Sequence, residues 1–151
     1  MKAASAFLIS LALANSTFAG AWSSSERLET ARAGLAAATA GDLVYVGGGA
    51  AAGDPANAFD VFDGSKESWR PLPALPKGLI NFAMTASGNL VFVSGGFAAD
   101  KPGEARKDMW AFNIETASWS RRSPMPHARA GHAMAAAGGL GEGIGGAGPS
   151  A

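Results

Sequence analysis

Short apolar runs, each closed by glycine, aspartate, asparagine or serine, recur along most of the chain. "LVYV" at 43–46, "FDVF" at 59–62, "LVFV" at 90–93 and "WAFNI" at 110–114 are the clearest. Runs this short, rich in β-branched and aromatic residues and bounded by turn formers, predict strands rather than helices. One window reads differently. In "SSSERLETARAGLAAATAG", Ser23 and Glu26 stand at capping-box spacing, Ala and Leu favour helix, and Gly41 would stop it. Taken alone, that window fits a helix as well as a strand.

The rest of the chain decides between them, because it repeats. "GNLVFVSGGF" at 88–97 copies "GDLVYVGGGA" at 41–50, 47 residues earlier. The same shift carries Trp22 onto Trp69 and Leu28 onto Leu75. A shift of 50 carries Trp69 onto Trp119, Phe62 onto Phe112 and Gly95-Gly96 onto Gly145-Gly146. The combined shift of 97 brings Trp22, Arg32 and Gly34 onto Trp119, Arg129 and Gly131. The stretches that correspond to the helix-like window contain Pro71, Pro73, Pro76 and Gly78, then Pro124 and Pro126. Proline inside a helix costs about 3 kcal/mol, so equivalent segments should not all be helical.

Each unit reads as four short strands. In the second they are 82–86, 90–94, 109–114 and 118–121, with a polar loop over 98–108. The paired glycines Gly48-Gly49 and Gly95-Gly96 end the second strand, where the backbone must turn without a Cβ. Trp69 and Trp119 open the fourth strand, where a large ring can cover the next sheet. The first strand is poor in bulk ("LAAATA", "FAMTA", "HAMAAA"), as suits a crowded innermost position. Gly47, Gly49 and Ala52 also match a loose phosphate-loop pattern. Asp54-Pro55-Ala56-Asn57 follows where a helix would be needed, so no phosphate cradle is expected.

A diglycine after a hydrophobic strand, with a spaced Trp and a period near 50 residues, resembles the kelch repeat. The resemblance covers 22–146. It implies an all-β chain of kelch-type propeller blades: about two complete four-stranded blades plus flanking strands, an incomplete propeller. The units run approximately over 32–76 and 79–126, preceded by a leading strand at 22–28 with Trp22. A broken third unit follows over 129–146, because Gly141-Glu142-Gly143 replaces the Val-Phe-Val of the second, and 147–151 reads as a disordered tail. Propellers have four to eight blades, so a piece of a longer propeller is expected, with uncovered blade faces as a route to self-association.

Composition narrows the function. Formal net charge is zero and the basic residues are scattered, which argues against nucleic acid. There is no cysteine, so disulfides, zinc–thiolate sites and thiol nucleophiles are excluded. No run of 18 uncharged apolar residues spans a membrane. Lys2, the apolar "AASAFLISLALA" and the small residues after it have the form of a secretory signal peptide over 1–21, cleaved after Ala19 or Ala21. This predicts a secreted or periplasmic protein. The alternative is a cytoplasmic chain with a buried or disordered N-terminal segment.

No motif identifies a catalytic residue, a metal site or a cofactor. His127 and His132 are five apart, a spacing that suits neither a helical metal pair nor a dense cluster. His132 occupies the position of Leu35 and Phe82 and reads first as a packing residue. Arg32 and Arg129 begin equivalent strands. Such an arginine either ties blade loops together or faces a ligand at the channel mouth, and Leu79 interrupts the series in the middle unit. The ligand-binding candidates are therefore Arg32, Asn81, Phe97, Arg106, Arg129 and His132. The loop 97–107, with Lys101, Glu104, Arg106 and Lys107 beside Phe97, is the favoured recognition surface. The resulting expectation is a binding or scaffolding module for a protein or carbohydrate partner. Two alternatives follow from the resemblance: a secreted sugar enzyme similar to the N-acetylneuraminate epimerases, and an intracellular F-box/kelch adaptor. Within the same family, the cysteine that galactose oxidase uses at its copper site is missing here.

Overall fold

The computed structural model describes residues 24–52, 54–98, 101–137 and 140–146; Trp22, the signal-like segment 1–21 and the tail 147–151 lie outside them. Among the described residues every regular element is a strand. The helix-like window is extended: β1 (Ala36–Ala40) takes its end and pairs antiparallel with β2 (Leu43–Gly47). After the first diglycine the chain makes a small hairpin, β3 (Ala50–Ala51) with β4 (Asp54–Pro55), then β5 (Phe59–Asp63) and β6 (Ser68–Pro71). The order β1-β2-β5-β6 is one antiparallel blade. Asp63 sets its last turn, since Oδ1 accepts the backbone N–H of Ser65 and Lys66.

The second unit begins with β7 (Leu79–Ile80), then β8 (Ala83–Ser87) and β9 (Leu90–Ser94). After the diglycine come β10 (Phe97–Ala98), β11 (Lys101–Ala105), β12 (Met109–Asn113) and β13 (Ser118–Arg122). Strands β13-β12-β9-β8 form the second blade. Asn113 repeats the role of Asp63 by accepting the N–H groups of Glu115 and Thr116. The residues that end both turns, Glu67 and Ala117, share a left-handed backbone. A third unit contributes β14 (Ala133–Ala137) and β15 (Leu140–Ile144).

One expectation needs correction. The polar loop 98–108 holds strand β11, which pairs with β10, while β10 also pairs with β7. The broken third unit keeps its second strand: β15 pairs with β14 in unbroken register from Ala133–Ile144 to Ala137–Leu140. Glycine removes side chains from that strand but not the backbone groups that make a ladder. The leading strand at 22–28 is absent from its described residues, since 24–28 carry no strand. Those residues still take the place that the repeat assigns them. Trp69 Nε1 donates to the Glu26 carbonyl at 3.0 Å, just as Trp119 Nε1 donates to Pro73 at 2.9 Å.

The core lies between the first two blades. Tyr45, Phe59 and Val61 meet Val91, Val93 and Phe112, all nearly fully buried. Trp119 closes this layer, its ring 5.1 Å from those of both Phe59 and Phe112. It is half-buried, with an apolar face in the core and an N–H on a carbonyl, the arrangement that suits an amphipathic ring. The alanine-rich first strands sit side by side, with β8 between β1 and β14. Two complete four-stranded blades and the inner hairpin of a third make an incomplete propeller over the described residues.

Candidate recognition face at the diglycine turns

Each diglycine is a latch between units. Gly48 and Gly49 have φ of 59° and 90°, and Gly95 and Gly96 have 64° and 84°. A Cβ on Gly48 would come within 2.5 Å of the Leu79 carbonyl, and one on Gly95 within 2.4 Å of the Arg129 carbonyl. Glycine is thus required for both conformation and space. The closeness serves a bond: Gly49 N–H donates to Leu79 at 2.8 Å, and Gly96 N–H to Arg129 at 2.9 Å.

A second set of bonds crosses the same junctions. Gly34, Asn81 and Gly131 occupy equivalent left-handed positions. Asn81 N–H donates to the Gly34 carbonyl at 2.9 Å, and Gly131 N–H donates to the Asn81 carbonyl at 2.7 Å. Asn81 is therefore a backbone link between three units, with an exposed side chain.

The sequence-derived candidates separate into two groups. Asn81, Phe97, Arg106, Arg129 and His132 gather around the second diglycine. Arg106 N–H donates to Gly96 and Arg129 N–H to the Arg106 carbonyl, while Phe97 pairs with Ile80. Arg129 Nη1 holds the Gly145 carbonyl at 3.0 Å, tying the third turn down. Arg32 lies apart. Its side chain is 1% exposed and Nη2 donates to Asp60 Oδ2 at 2.7 Å, within the first unit.

Charge concentrates beside this turn. Asp108 lies between Arg106, at 3.1 Å, and Arg121, at 3.0 Å. Burial pushes the Asp108 carboxyl up, but hydrogen bonds and charge from Arg106 and Arg121 outweigh it and hold the group below the usual carboxylate range. The Arg121 guanidinium also lies 6.0 Å from the Trp110 ring centre. His132 differs in kind. It is buried, and Nε2 lies 2.9 Å from Ser94 Oγ. Burial, helped by the Arg129 charge, holds its pKa below the ordinary histidine value. The buried hydroxyl–imidazole pair joins the second unit to the third. No group of three or more acidic, His or Cys side chains among the described residues could hold a metal.

Sequence reading missed Ser94, Asp60, Asp108 and Arg121 as partners. The repeat did carry a signal for the first: His132 replaces Phe82 where Ser94 replaces Gly47, two linked exchanges at equivalent positions.

Comparison with known proteins agrees with this architecture. No curated protein matches the chain. Residues 79–126, the span from β7 to the end of the second blade, match the family model of the kelch motif. That match falls on a blade whose latches, turns and indole contacts recur in the unit before it, so the second unit is a kelch motif and the first shares its design.

Proposed function

We propose that the chain is an interaction module that binds a protein partner through the diglycine face of its second unit. The observation that carries this reading is the expansion between the second and third strands. The first unit joins β2 to β5 with a hairpin of two-residue strands, whereas the second has three more residues there and builds β10 and β11 against β7. A larger loop with a backbone-bonded base presents side chains in fixed positions. Asp108, Arg106 and Arg121 form a charged platform beside it, and exposed Lys107 adjoins it. The signal-like N-terminus supports a secreted or periplasmic setting for such a partner.

The test uses photo-crosslinking residues at Lys107 on this face and at Glu115 on the opposite turn face of the full chain in its native cells. A partner captured from Lys107, and lost when 97–105 is replaced by the first unit's 50–55, supports the reading. Capture only from Glu115 would reject it.

A further inference from the structure

The repeat exposes an exchange in the first unit that packing does not explain. A cavity of about 190 Å³ lies beside β6, lined by Leu28, Glu29, Arg32, Asp60, Trp69 and Arg70 among others. The 47- and 50-residue shifts place Leu75, Leu79, Trp110 and Trp119 at the positions of Leu28, Arg32, Asp60 and Trp69. In the second unit this corner is apolar, with Leu75 and Leu79 buried. In the first, Arg32 and Asp60 stand where Leu79 and Trp110 stand, so an indole has been removed and an ion pair set in the wall.

That ion pair is incomplete. Arg32 Nη2 reaches Asp60, but Nε and Nη1 are buried and have no hydrogen-bond partner among the described residues. Buried donors are nearly always satisfied, and a guanidinium offers only donors. Satisfying them takes acceptor oxygens, and because neither atom is exposed, the wall beside Arg32 must shift to admit the group that supplies them. A carboxylate matches the guanidinium fork in shape and charge. Glu29 and Asp60 oppose a multiply charged anion, while Leu28 and Trp69 offer an apolar wall. We propose that this cavity binds a small monocarboxylate with an apolar body, the carboxylate on Arg32 and the body against Trp69 and Leu28. The site is separate from the diglycine face.

The experiment titrates the ¹⁵N-labelled full chain with benzoate, and separately with benzamide, following the Arg32 Nε–H and Trp69 Nε1–H resonances. Benzoate should shift both saturably, and benzamide should bind about tenfold more weakly or less, because it lacks the charge. The double variant R32L/D60W copies the second unit's apolar corner; it should fold and lose the benzoate response. R32K keeps the charge without the fork and should weaken binding. The proposal is overturned if benzoate gives no saturable shift (a cavity that holds only water), if benzamide binds equally well, or if folded R32L/D60W retains the response.

Discussion

The junction between the first and second blades and the junction between the second blade and the β14–β15 hairpin share one backbone design, yet their interiors differ in chemistry. At the first, a Cβ on Gly47 would come 3.0 Å from Met84 Cε and 3.1 Å from a Phe59 ring carbon, and the Phe82 ring lies against the neighbouring Gly48. At the second, Ser94, His132 and Met134 hold the positions of Gly47, Phe82 and Met84, and Ser94 Oγ lies 2.9 Å from His132 Nε2 and 3.4 Å from Met134 Sδ. One junction is filled by apolar side chains, Met84 and Phe59 among them, that crowd any side chain placed at Gly47. The other uses a smaller ring and fills the difference with a hydroxyl. The first form of this position, Leu35, is exposed, because no described blade precedes it. Position in the array, rather than the local turn, thus determines which side chain is tolerated.

The comparison is broken most severely at the apolar junction. Phe82→Ala should cost about 3–5 kcal/mol, as an aromatic removed from a full core does, read by chemical denaturation of the full chain. At the polar junction, His132→Ala should cost less, about 1–3 kcal/mol, chiefly because Ser94 is left buried without its partner. The double variant S94G/H132F rebuilds the first junction at the second site and should recover most of that loss; a double variant weaker than H132A would show that the two interiors are not interchangeable.

Acid should act on one junction only. The folded pKa of His132 lies below its ordinary value of 6.5, so the unfolded chain binds the proton more readily. Stability is then full above about pH 6.5, falls as pH drops below it, and levels off once the folded histidine is itself protonated. Corrected for the intrinsic slowing of amide exchange in acid, protection in β14 should fall between pH 7 and 5 while protection in β1 stays level, and S94G/H132F should abolish the difference. The smallest effect separates the two strand turns. Asp63 is held below the usual carboxylate range by hydrogen bonds from Lys66 and Ser65, whereas Asn113 makes the same turn without charge. Asp63→Asn should leave the melting temperature almost unchanged at pH 7. It should remove the share of the acid loss that appears in the native chain below about pH 3.8, the unfolded aspartate's value.

Blades were legible in the sequence because each local signal occurs more than once. The strands expected at 82–86, 90–94, 109–114 and 118–121 form within a residue of those bounds, and the prolines after Trp69 and Trp119 correctly ruled out a helix at 36–40. Strand β11 was not legible, since "KPGEA" has neither alternation nor β-formers; its pairing comes from the backbone of β10, itself held on β7. The pairs Arg32–Asp60 and Ser94–His132 lie 28 and 38 residues apart. Composition carries no trace of such contacts, which depend on register across strands and units. Arg32 and Arg129 looked alike for the same reason. One is buried in an ion pair and the other clasps the Gly145 carbonyl.

The amide line through Gly34, Asn81 and Gly131 bears on how the array responds to force. Asn81 donates to one neighbour and accepts from the other, and the glycine latch lies beside it at each junction. Tension that slides one unit past the next must stretch these bonds together rather than in sequence. The units should then separate junction by junction, each in a single step, with a blade as the unit of extension and its own strands still paired.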